Sequence, residues 1–515
     1  MIRHRHFTLT SILALLLILT TLLGACKEKG DEPHTPALLE SVSDIDEEYR
    51  LSQNELLVIT PKIELKEGEI SEVRFEWGMG GKVVGTEPTL RVKCEELGLF
   101  DAYLKVTTDN SGIIKEFKVR VSSANYDKGL LLLSEADGRS LLSFKRLDRM
   151  DSGVALDVFG DNNPHASLGA KPLSLCWTGE GITNPNNIDD SGGLFIVLGT
   201  TNPLKSYLID SRTMKINSEI THDGDFTPEH VTAPFGGQNR SWGRENIVCF
   251  ISGGKTFPYQ IEGEKRFVKP YRSQQIPDEV SLAPLTCNLI TTPTDVQIAG
   301  YDLISKRMVY IGGLSGTLIG THSCGVEQPM NILACNGIYA DTNADRRYEP
   351  REVILVGSVG NDVKILRFTP PVRIRKKVNP IDQREVLVRE IPAGTHIEPT
   401  AATGVSPTRP FFYYGSSRGD IFLLNYDNAG FSDKPFISLG EKFAVRSLIF
   451  NPYDANTLYI AAEDRTEKSD RIASLFIYDV RDNAHPKRLY EAHKVGGKVK
   501  KLVYKGNGLE HLTKR

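Results

Sequence analysis

The sequence predicts an all-β protein in which a small N-terminal β-sandwich precedes a β-propeller. Short β-type runs separated by turn residues fill the stretch to about Ser123, which is typical of a sandwich. Beyond it, a strand, Asp-Gly turn and strand pattern first occurs at 130–144. The pattern then recurs roughly every 55 residues, the length of a four-stranded propeller blade.

The N-terminus reads as an export signal. Arg3 and Arg5 make a cationic start, and the apolar run 12–23 is shorter than the roughly 20 residues that span a bilayer. It ends in Leu23-Gly24-Ala25-Cys26, the lipobox pattern of bacterial lipoproteins. We therefore predict that 1–25 is a signal peptide and that Cys26 carries the lipid. The alternative is cleavage after Ala25 with Cys26 left unmodified.

Residues 26–38 are expected to be the lipidated cysteine and a flexible tether. Lys27-Glu28-Lys29-Gly30-Asp31-Glu32 resembles the surface-export signal of lipoproteins in bacteria with Sus-type uptake systems. This implies an outer-membrane, lipid-anchored protein exposed at the cell surface, with a periplasm-facing position as the alternative. Acyl chains anchor a protein by burying CH₂ groups and do not make it span the membrane.

Residues 39–123 are predicted to form the sandwich. Tyr103, Lys105 and Thr107 alternate with Leu104 and Val106, the period of a half-buried antiparallel strand. The runs Phe75-Glu76-Trp77-Gly78 and Gly98-Leu99-Phe100-Asp101-Ala102-Tyr103 resemble the PKD-type immunoglobulin-like module. In that module a strand bearing the tryptophan ends in an Asp/Gly-rich turn, and Gly78-Met79-Gly80-Gly81 departs from it.

Residues 124–515 are predicted to form the propeller. Later copies of the hairpin begin near Phe195, Ile247, Ile298, Ile354, Phe412 and Tyr459. After the last copy one strand-like segment, 498–504, is left over, while the first copy lacks a strand before Leu130. Pairing the two would close the ring and remove exposed strand edges. The sequence favours seven blades, and six or eight are the alternatives.

Charge argues against nucleic acid as a partner. The 515 residues include 62 Lys and Arg against 65 Asp and Glu, for a formal net charge of −3. Such a mixed surface produces no global field that attracts a polyanion. No nucleic-acid partner is expected.

The order of these parts resembles the PKD-like family of surface lipoproteins. The resemblance rests on the lipobox, the PKD-like module and a junction that reads Tyr126-Asp127-Lys128-Gly129-Leu130-Leu131-Leu132-Leu133-Ser134-Glu135. Members are typically encoded beside SusC-like TonB-dependent transporters and SusD-like lipoproteins. The resemblance implies a non-enzymatic accessory component of such a nutrient uptake complex, which binds substrate or assembles the complex. It implies no catalytic residues.

Two other function classes stay open from the sequence. One is a propeller hydrolase or lyase acting on glycan or peptide at the cell surface, since a fold does not decide a function. Gly415-Ser416-Ser417-Arg418-Gly419 matches the serine elbow of hydrolases, but its flanks are both strand-like, which favours a plain hairpin turn. The other class is a scaffold that binds only protein.

Two tryptophans are candidate ligand platforms. Trp177 and Trp242 lie in Gly-flanked, loop-like stretches, where an exposed ring could stack on a glycan or peptide ligand. Packing between neighbouring blades is the alternative for both rings.

One acidic loop is a candidate for structural Ca²⁺. Oxygen ligands at alternate positions, with a backbone carbonyl at Arg347, suit this hard ion. Arg346 replaces the usual turn glycine and stands beside Arg347, so a salt-bridged hairpin is the alternative. The candidate ligands are Asp341, Asn343, Asp345, Arg347, Glu349 and Glu352. Six further cysteines remain besides Cys26, and their spacing assigns neither disulfides nor a metal.

Overall fold

The structure is a computed structural model, and the chain is described from Leu38 to Gly506 apart from several gaps. The gaps are 67–71, 97, 123–125, 127, 179–194, 223–225, 233–245, 262–266, 269–275, 293–294, 313–317, 340–349, 372, 375–376, 379–386, 391–396, 429 and 452–453. The predicted signal peptide, Cys26 and nearly all of the predicted tether lie outside these residues. In the described part, no helix is both long and apolar enough to cross a membrane.

The chain divides into two compact units. The smaller comprises the described residues up to Tyr49, with Val58–Val92 and Leu99–Arg120. The larger comprises Arg50–Leu57, Lys93–Gly98 and the described chain from Val121 onward.

The first nine strands form one five-stranded sheet, in the order β2-β9-β8-β5-β6, and two small sheets, β1-β4 and β3-β7. Trp77 on β5 is fully buried, and its indole nitrogen donates to the carbonyl of Glu87 at 2.8 Å. The ring packs edge-on against Phe117 of β9, with 6.3 Å between centroids. The strands are β1 Leu39–Ser43, β2 Glu48–Ser52, β3 Leu56–Ile59, β4 Lys62–Leu65, β5 Arg74–Met79, β6 Lys82–Gly85, β7 Leu90–Lys93, β8 Gly98–Thr107 and β9 Gly112–Ser122.

The larger unit contains, in the described residues, seven antiparallel sheets of four main strands each, here called sheets 1 to 7 in chain order. Sheet 1 is β12-β11-β10-β40, sheet 2 is β13 to β16, and sheet 3 is β17 to β20. Their bounds are β10 Gly129–Ala136, β11 Arg139–Arg146, β12 Val154–Ala155, β40 Lys498–Lys505, β13 Lys171–Trp177, β14 Phe195–Thr201, β15 Lys205–Asp210, β16 Ile216–Thr221, β17 His230–Thr232, β18 Asn246–Ser252, β19 Lys255–Ile261 and β20 Phe267–Val268.

Sheet 4 is β21 to β24, sheet 5 is β25-β26-β27-β30, sheet 6 is β31 to β34 with β35 added, and sheet 7 is β36 to β39. Their bounds are β21 Leu282–Thr292, β22 Asp295–Asp302, β23 Arg307–Gly312, β24 Leu318–Ser323, β25 Asn331–Tyr339, β26 Pro350–Val359, β27 Asp362–Phe368, β30 Leu387–Glu390, β31 Thr403–Val405, β32 Phe411–Gly415, β33 Asp420–Asn425, β34 Gly430–Phe431, β35 Ile437–Ser438, β36 Phe443–Asn451, β37 Asp454–Asp464, β38 Ala473–Asp479 and β39 Lys487–Gly496. A short ribbon, β28 Arg373–Ile374 with β29 Lys377–Val378, and one short helix, α1 Val158–Asn162, complete the described elements.

The sheets follow one another in a closed order. The first strand of each of sheets 2 to 6 contacts the first strand of the next sheet, and β36 of sheet 7 and β13 of sheet 2 both contact β40 of sheet 1. This is the cyclic arrangement of a β-propeller. The predicted pairing of segment 498–504 with the first hairpin is confirmed, because β40 is antiparallel to β10.

Alternating side chains on each strand fill the spaces between sheets. Leu131 and Leu133 of β10 belong to the core shared with sheet 2, whereas Leu130 and Leu132 belong to the core shared with sheet 7. Successive residues of a strand point to opposite faces, so a strand buried on both faces is a continuous apolar run. This is why the sequence contains four leucines in a row there.

Candidate functional site

An open cleft lies along sheet 6 and is partly lined by aromatic rings. Three half-buried phenylalanines, Phe411, Phe431 and Phe436, contribute to its wall together with half-buried Leu423. Its volume is about 340 Å³. The remaining lining residues are Asn425, Gly430, Ser432, Lys434, Pro435, Asn483 and Ala484.

The cleft exists because the outer strand of sheet 6 is interrupted. β33 pairs with β34 at Leu424 and Asn425, and with β35 at Asp420 and Ile421. The chain leaves the sheet between these two short strands, over 432–436. The interruption therefore leaves Leu423 in the cleft wall instead of covering it with an outer strand.

Two contacts hold the ends of the interrupting segment. The backbone N–H of Phe436 donates to the carbonyl of Ile421 at 2.8 Å, and that of Lys434 donates to the Ser432 hydroxyl at 3.2 Å. The Phe436 ring packs edge-on against Tyr413, with 5.7 Å between centroids. Tyr413 is buried, and burial raises its pKa to about 12, so it supports the cleft as a neutral phenol.

Sheet 7 supplies the other side of the cleft through Asn483 and Ala484, which follow β38. Arg409 joins sheets 6 and 7 beside the cleft. Its guanidinium donates to the carbonyls of Val480 and Arg481 at 3.2 and 3.3 Å, and it also contacts the side-chain oxygen of Asn456. Arg409 stands two residues before Phe411, and the carbonyls that it contacts stand two and three residues before Asn483, so Arg409 links the two sheets beside the cleft.

The composition of the cleft suits a ligand that has both apolar faces and hydrogen-bonding edges. Aromatic rings offer faces for stacking, while the side chains of Asn425, Asn483 and Ser432 can donate and accept hydrogen bonds. A volume near the lower end of small-molecule sites fits one or two sugar rings or a few peptide residues. In the sequence, the interruption is visible as a Pro-containing polar segment bounded by Phe431 and Phe436.

The structure places Trp177 away from the surface. It is the last residue of β13, its side chain is 3% exposed, and its ring packs edge-on against Tyr504 with 6.5 Å between centroids. The ring is thus part of the core between sheets 1 and 2, as in the packing alternative. An exposed stacking platform does not describe Trp177 in this structure. Trp242 lies outside the described residues.

Most of the candidate calcium loop also lies outside the described residues, namely Asp341, Asn343, Asp345, Arg347 and Glu349. Glu352, on β26, is described and forms an ion pair with Arg367 on β27 at 2.5 Å. Arg367 also pairs with Asp427 and lies over the ring of Tyr426. The carboxylate of Glu352 is therefore paired with an arginine side chain of the same sheet. Among the described residues, no cluster of three or more His, Cys, Asp or Glu side chains has the geometry of a metal site.

The segment that matches the serine elbow is a hairpin turn. Ser416, Ser417 and Arg418 connect β32 to β33, and Gly419 has a φ of +80°, which favours glycine in a tight turn. No helix follows the serine, so the strand, turn and helix of an esterase elbow are not formed here.

A serine, histidine and glutamate are hydrogen-bonded in series on sheet 7. The Ser474 hydroxyl lies 3.0 Å from Nδ1 of His493, and Nε2 of His493 lies 2.6 Å from Glu491. This order resembles a hydrolase triad. Ser474, however, is 1% exposed, and the His493 ring stacks on Phe443, so no substrate carbonyl can reach the hydroxyl.

The same pairing recurs on sheet 2, which argues for a structural role. The Ser206 hydroxyl lies 2.7 Å from Nε2 of His222, and that ring stacks against Phe226. On sheet 4, His322 lies between Tyr310 and Phe368, and burial lowers its pKa. Sequence reasoning missed His322 and His493, because scattered single histidines share no spacing motif.

Comparison with known proteins assigns no family. No family model matches the chain, and no curated protein matches it. Among solved structures, a quinonprotein alcohol dehydrogenase-like protein from Bacteroides thetaiotaomicron is 14% identical, with a TM-score of 0.46, and the match covers 89% of this chain and 97% of that one.

Two further solved structures have lower scores. The Cps50 (Swd1) β-propeller domain from Myceliophteria thermophila is 11% identical, with a TM-score of 0.42, over 66% of this chain and 93% of that one. BamB from Moraxella catarrhalis is 12% identical, with a TM-score of 0.35, over 64% and 92%. Likenesses of this level carry no functional argument, and the propeller assignment rests on the strand order and register given above.

Proposed function

We propose that this chain is a non-enzymatic surface lipoprotein that binds a glycan or peptide ligand in the cleft of sheet 6. In this proposal Cys26 anchors it in the outer membrane, and it serves as an accessory component of a SusC/SusD-like TonB-dependent uptake complex. The single observation that carries the binding role is the open cleft, whose wall combines the rings of Phe411, Phe431 and Phe436 with asparagine side chains.

The proposal includes a finer reading of the architecture. Each of the seven sheets is a blade, and strand β40 completes the first blade by pairing with β10. The N-terminal strands are a PKD/immunoglobulin-like module between the anchor and the propeller in the sequence. The partner role rests on the lipobox and on the resemblance to the PKD-like family.

Binding is preferred over hydrolysis on a geometric ground. The residues on the cleft wall are apolar, amide, hydroxyl and lysine side chains, and none is a carboxylate or histidine. Hydrolysis of a glycan or peptide by general acid–base work most often uses a histidine or carboxylate within hydrogen-bond reach of the reacting atom. The described Ser474, His493 and Glu491 series provides such groups, but its serine is buried.

Titration calorimetry on the purified chain tests the binding role. The probes are maltohexaose, cellohexaose, xylohexaose and laminarihexaose, together with a tryptic digest of casein. We expect at least one probe to bind, and the double substitution Phe431→Ala with Phe436→Ala to weaken that binding by about tenfold or more.

Ile304→Ala is the matched control, because Ile304 is an apolar side chain that is 57% exposed in a turn of sheet 4. It should bind the probe as the unmodified chain does. Equal binding by the cleft variant and the control would exclude the cleft as the ligand site.

A further inference from the structure

Two cysteines meet where the first strands of sheets 4 and 5 pack together. Cys287 lies on β21 and Cys335 on β25, and these strands contact one another between the sheets. Both side chains belong to the core shared by sheets 4 and 5. Both are free cysteines in the structure, 9% and 7% exposed.

The strand register places both Cys287 and Cys335 next to Ala299. Cys287 is directly opposite Ala299 in the β21–β22 ladder, and the thiol of Cys335 donates to the carbonyl of that same Ala299 at 3.5 Å. Residues directly opposite in an antiparallel ladder have their Cα atoms about 5 Å apart. Cys287 and Cys335 belong to the same core, and Cys335 is close enough to raise the pKa of Cys287 well above its ordinary value.

The neighbouring residue Tyr310 also lies close to both cysteines. Tyr310 is opposite Ala299 on the other side of the ladder, so Cys287, Ala299 and Tyr310 form one cross-strand row. The charges that Cys287, Cys335 and Cys324 carry when ionised all raise the pKa of Tyr310, after burial itself. The side chains of this row and of Cys335 belong to one core, so the row on sheet 4 faces the Cys335 side chain of sheet 5.

We propose that Cys287 and Cys335 form a disulfide that covalently joins the first strands of sheets 4 and 5. A disulfide needs Cα atoms about 4.4–6.8 Å apart, and the contact between β21 and β25 brings the two backbones close together. Cys324 then remains a free thiol in the same core. The bond would hold two consecutive sheets together independently of their apolar packing.

The oxidant is a low-molecular-weight disulfide or an oxidised thiol–disulfide oxidoreductase. One cysteine thiolate attacks the donor disulfide and forms a mixed disulfide, releasing one donor thiol. The other cysteine thiolate then attacks the cysteine sulfur of the mixed disulfide and releases the second donor thiol. Two electrons pass to the donor, and the two thiol protons end on the two donor sulfurs.

The timing of this step follows from burial. The thiolate is the reacting species, and the neighbouring Cys335 side chain, together with burial, raises the pKa of Cys287 well above its ordinary value. The folded, reduced protein should thus be slow to oxidise. We infer that the bond forms before sheets 4 and 5 dock, during folding in an oxidising compartment. In this one respect the inference rests on the proposed export of the chain.

Peptide mapping of the refolded full chain tests the proposal without depending on export. The chain is reduced and unfolded, refolded in a reduced and oxidised glutathione buffer, alkylated, and digested under non-reducing conditions. Trypsin together with a glutamate-specific protease is needed, because Glu327 is the cleavage point that separates Cys324 from Cys335.

We expect a cross-linked peptide pair containing Cys287 and Cys335, retained in Cys324→Ala and absent in Cys335→Ala. Cys249→Ala is the control for loss of a buried thiol elsewhere, since Cys249 is 1% exposed in sheet 3. The oxidised chain should melt about 3 °C or more above the reduced chain. Folded reduced chain given the same buffer should form the bond at least about tenfold more slowly.

A pair joining Cys324 to Cys335, or a natively folded chain without the Cys287 to Cys335 pair, would overturn the proposal. If refolding fails, the same mapping on alkylated protein from outer-membrane fractions decides the question. A bond found after refolding but absent from the membrane protein would contradict the export account and leave the pairing itself supported.

Discussion

Leu502, in the last described strand, lies directly opposite Leu132 in β10 of sheet 1. Both side chains belong to the core between sheets 7 and 1, and Leu502 is 2% exposed. Strand β40 thus joins residues from the beginning of sheet 1 and residues of sheet 7 in one core. This pairing closes the ring of sheets.

Leu502→Ala should therefore destabilise the whole larger unit. Removing a buried leucine side chain costs about 2–5 kcal/mol through lost burial and the cavity that remains. Urea unfolding followed by circular dichroism measures the change in the free energy of unfolding. Leu489→Ala is the matched control, because Leu489 is 43% exposed on β39 and its loss should change stability by less than about 0.5 kcal/mol. Equal effects of the two variants would contradict closure by β40.

Lys145 should make the free energy of unfolding increase as the pH rises above neutrality. Its side chain is 1% exposed, and its ammonium donates to the carbonyls of Arg149, Met150 and Ser152 at 3.0, 3.2 and 2.6 Å. Burial nevertheless lowers the pKa of Lys145 to about 7, although nearby Glu55 acts in the opposite direction.

A lysine whose pKa is lower in the folded chain than in the unfolded chain binds fewer protons when folded. The free energy of unfolding should thus rise between pH 7 and pH 9.5, by at most about 1.4 kcal/mol per pH unit from this group. Lys145→Met should lose this slope, whereas Lys171→Met, at an exposed lysine of β13, should keep it. Urea titrations at four pH values measure both slopes. Parallel profiles for the unmodified chain and Lys145→Met would show that Lys145 stays charged when folded.

The Ser474 and His493 pair should prove structural. Ser474→Ala removes the hydrogen bond to His493 and should lower the free energy of unfolding by about 1 kcal/mol, and Ser206→Ala should do the same for His222. Hydrolysis of p-nitrophenyl acetate should be equal in both variants and in the unmodified chain. A hundredfold loss of hydrolysis in Ser474→Ala alone would instead support the hydrolase alternative.

Arg409 should control the cleft without lining it. Arg409→Ala removes the donors to the carbonyls of Val480 and Arg481, so sheets 6 and 7 lose a direct link beside the cleft. We expect weaker binding of whichever probe the unmodified chain binds, by about threefold to tenfold, and partial recovery in Arg409→Lys. Arg446→Ala, at a half-exposed arginine of sheet 7 that pairs with Glu463, is the control and should bind normally. Unchanged affinity in Arg409→Ala would contradict the role of the arginine in linking the two sheets beside the cleft.

Much of the fold follows from local sequence patterns, because hairpins are local. Asp137 and Gly138 both have positive φ, as the Asp-Gly pattern between β10 and β11 predicts. The run Phe411 to Tyr414 is apolar throughout because Phe412 faces sheet 5 and Tyr413 faces sheet 7. The pairing of β40 could also be predicted, since one strand was left over and one was missing.

Features that depend on distant residues could not be predicted in the same way. Trp177 stands near glycines in the sequence, yet its ring is covered by Tyr504 of the last described strand. Cys287 and Cys335 share one core only because two strands of different sheets pack together. The Pro-containing segment between Phe431 and Phe436 marks a break in the sequence, but sequence alternation does not reveal that β34 and β35 on either side of it pair with the same strand, β33.

The central claim is that this chain works as a lipid-anchored binding component of an uptake complex. Its most direct test is co-purification of the native protein from detergent-solubilised outer membrane, with mass spectrometry of the proteins that elute with it. The account predicts a SusC-like TonB-dependent transporter and a SusD-like lipoprotein in the eluate, both lost when Cys26→Ala prevents anchoring. Recovery of the protein alone from outer membrane would contradict that claim.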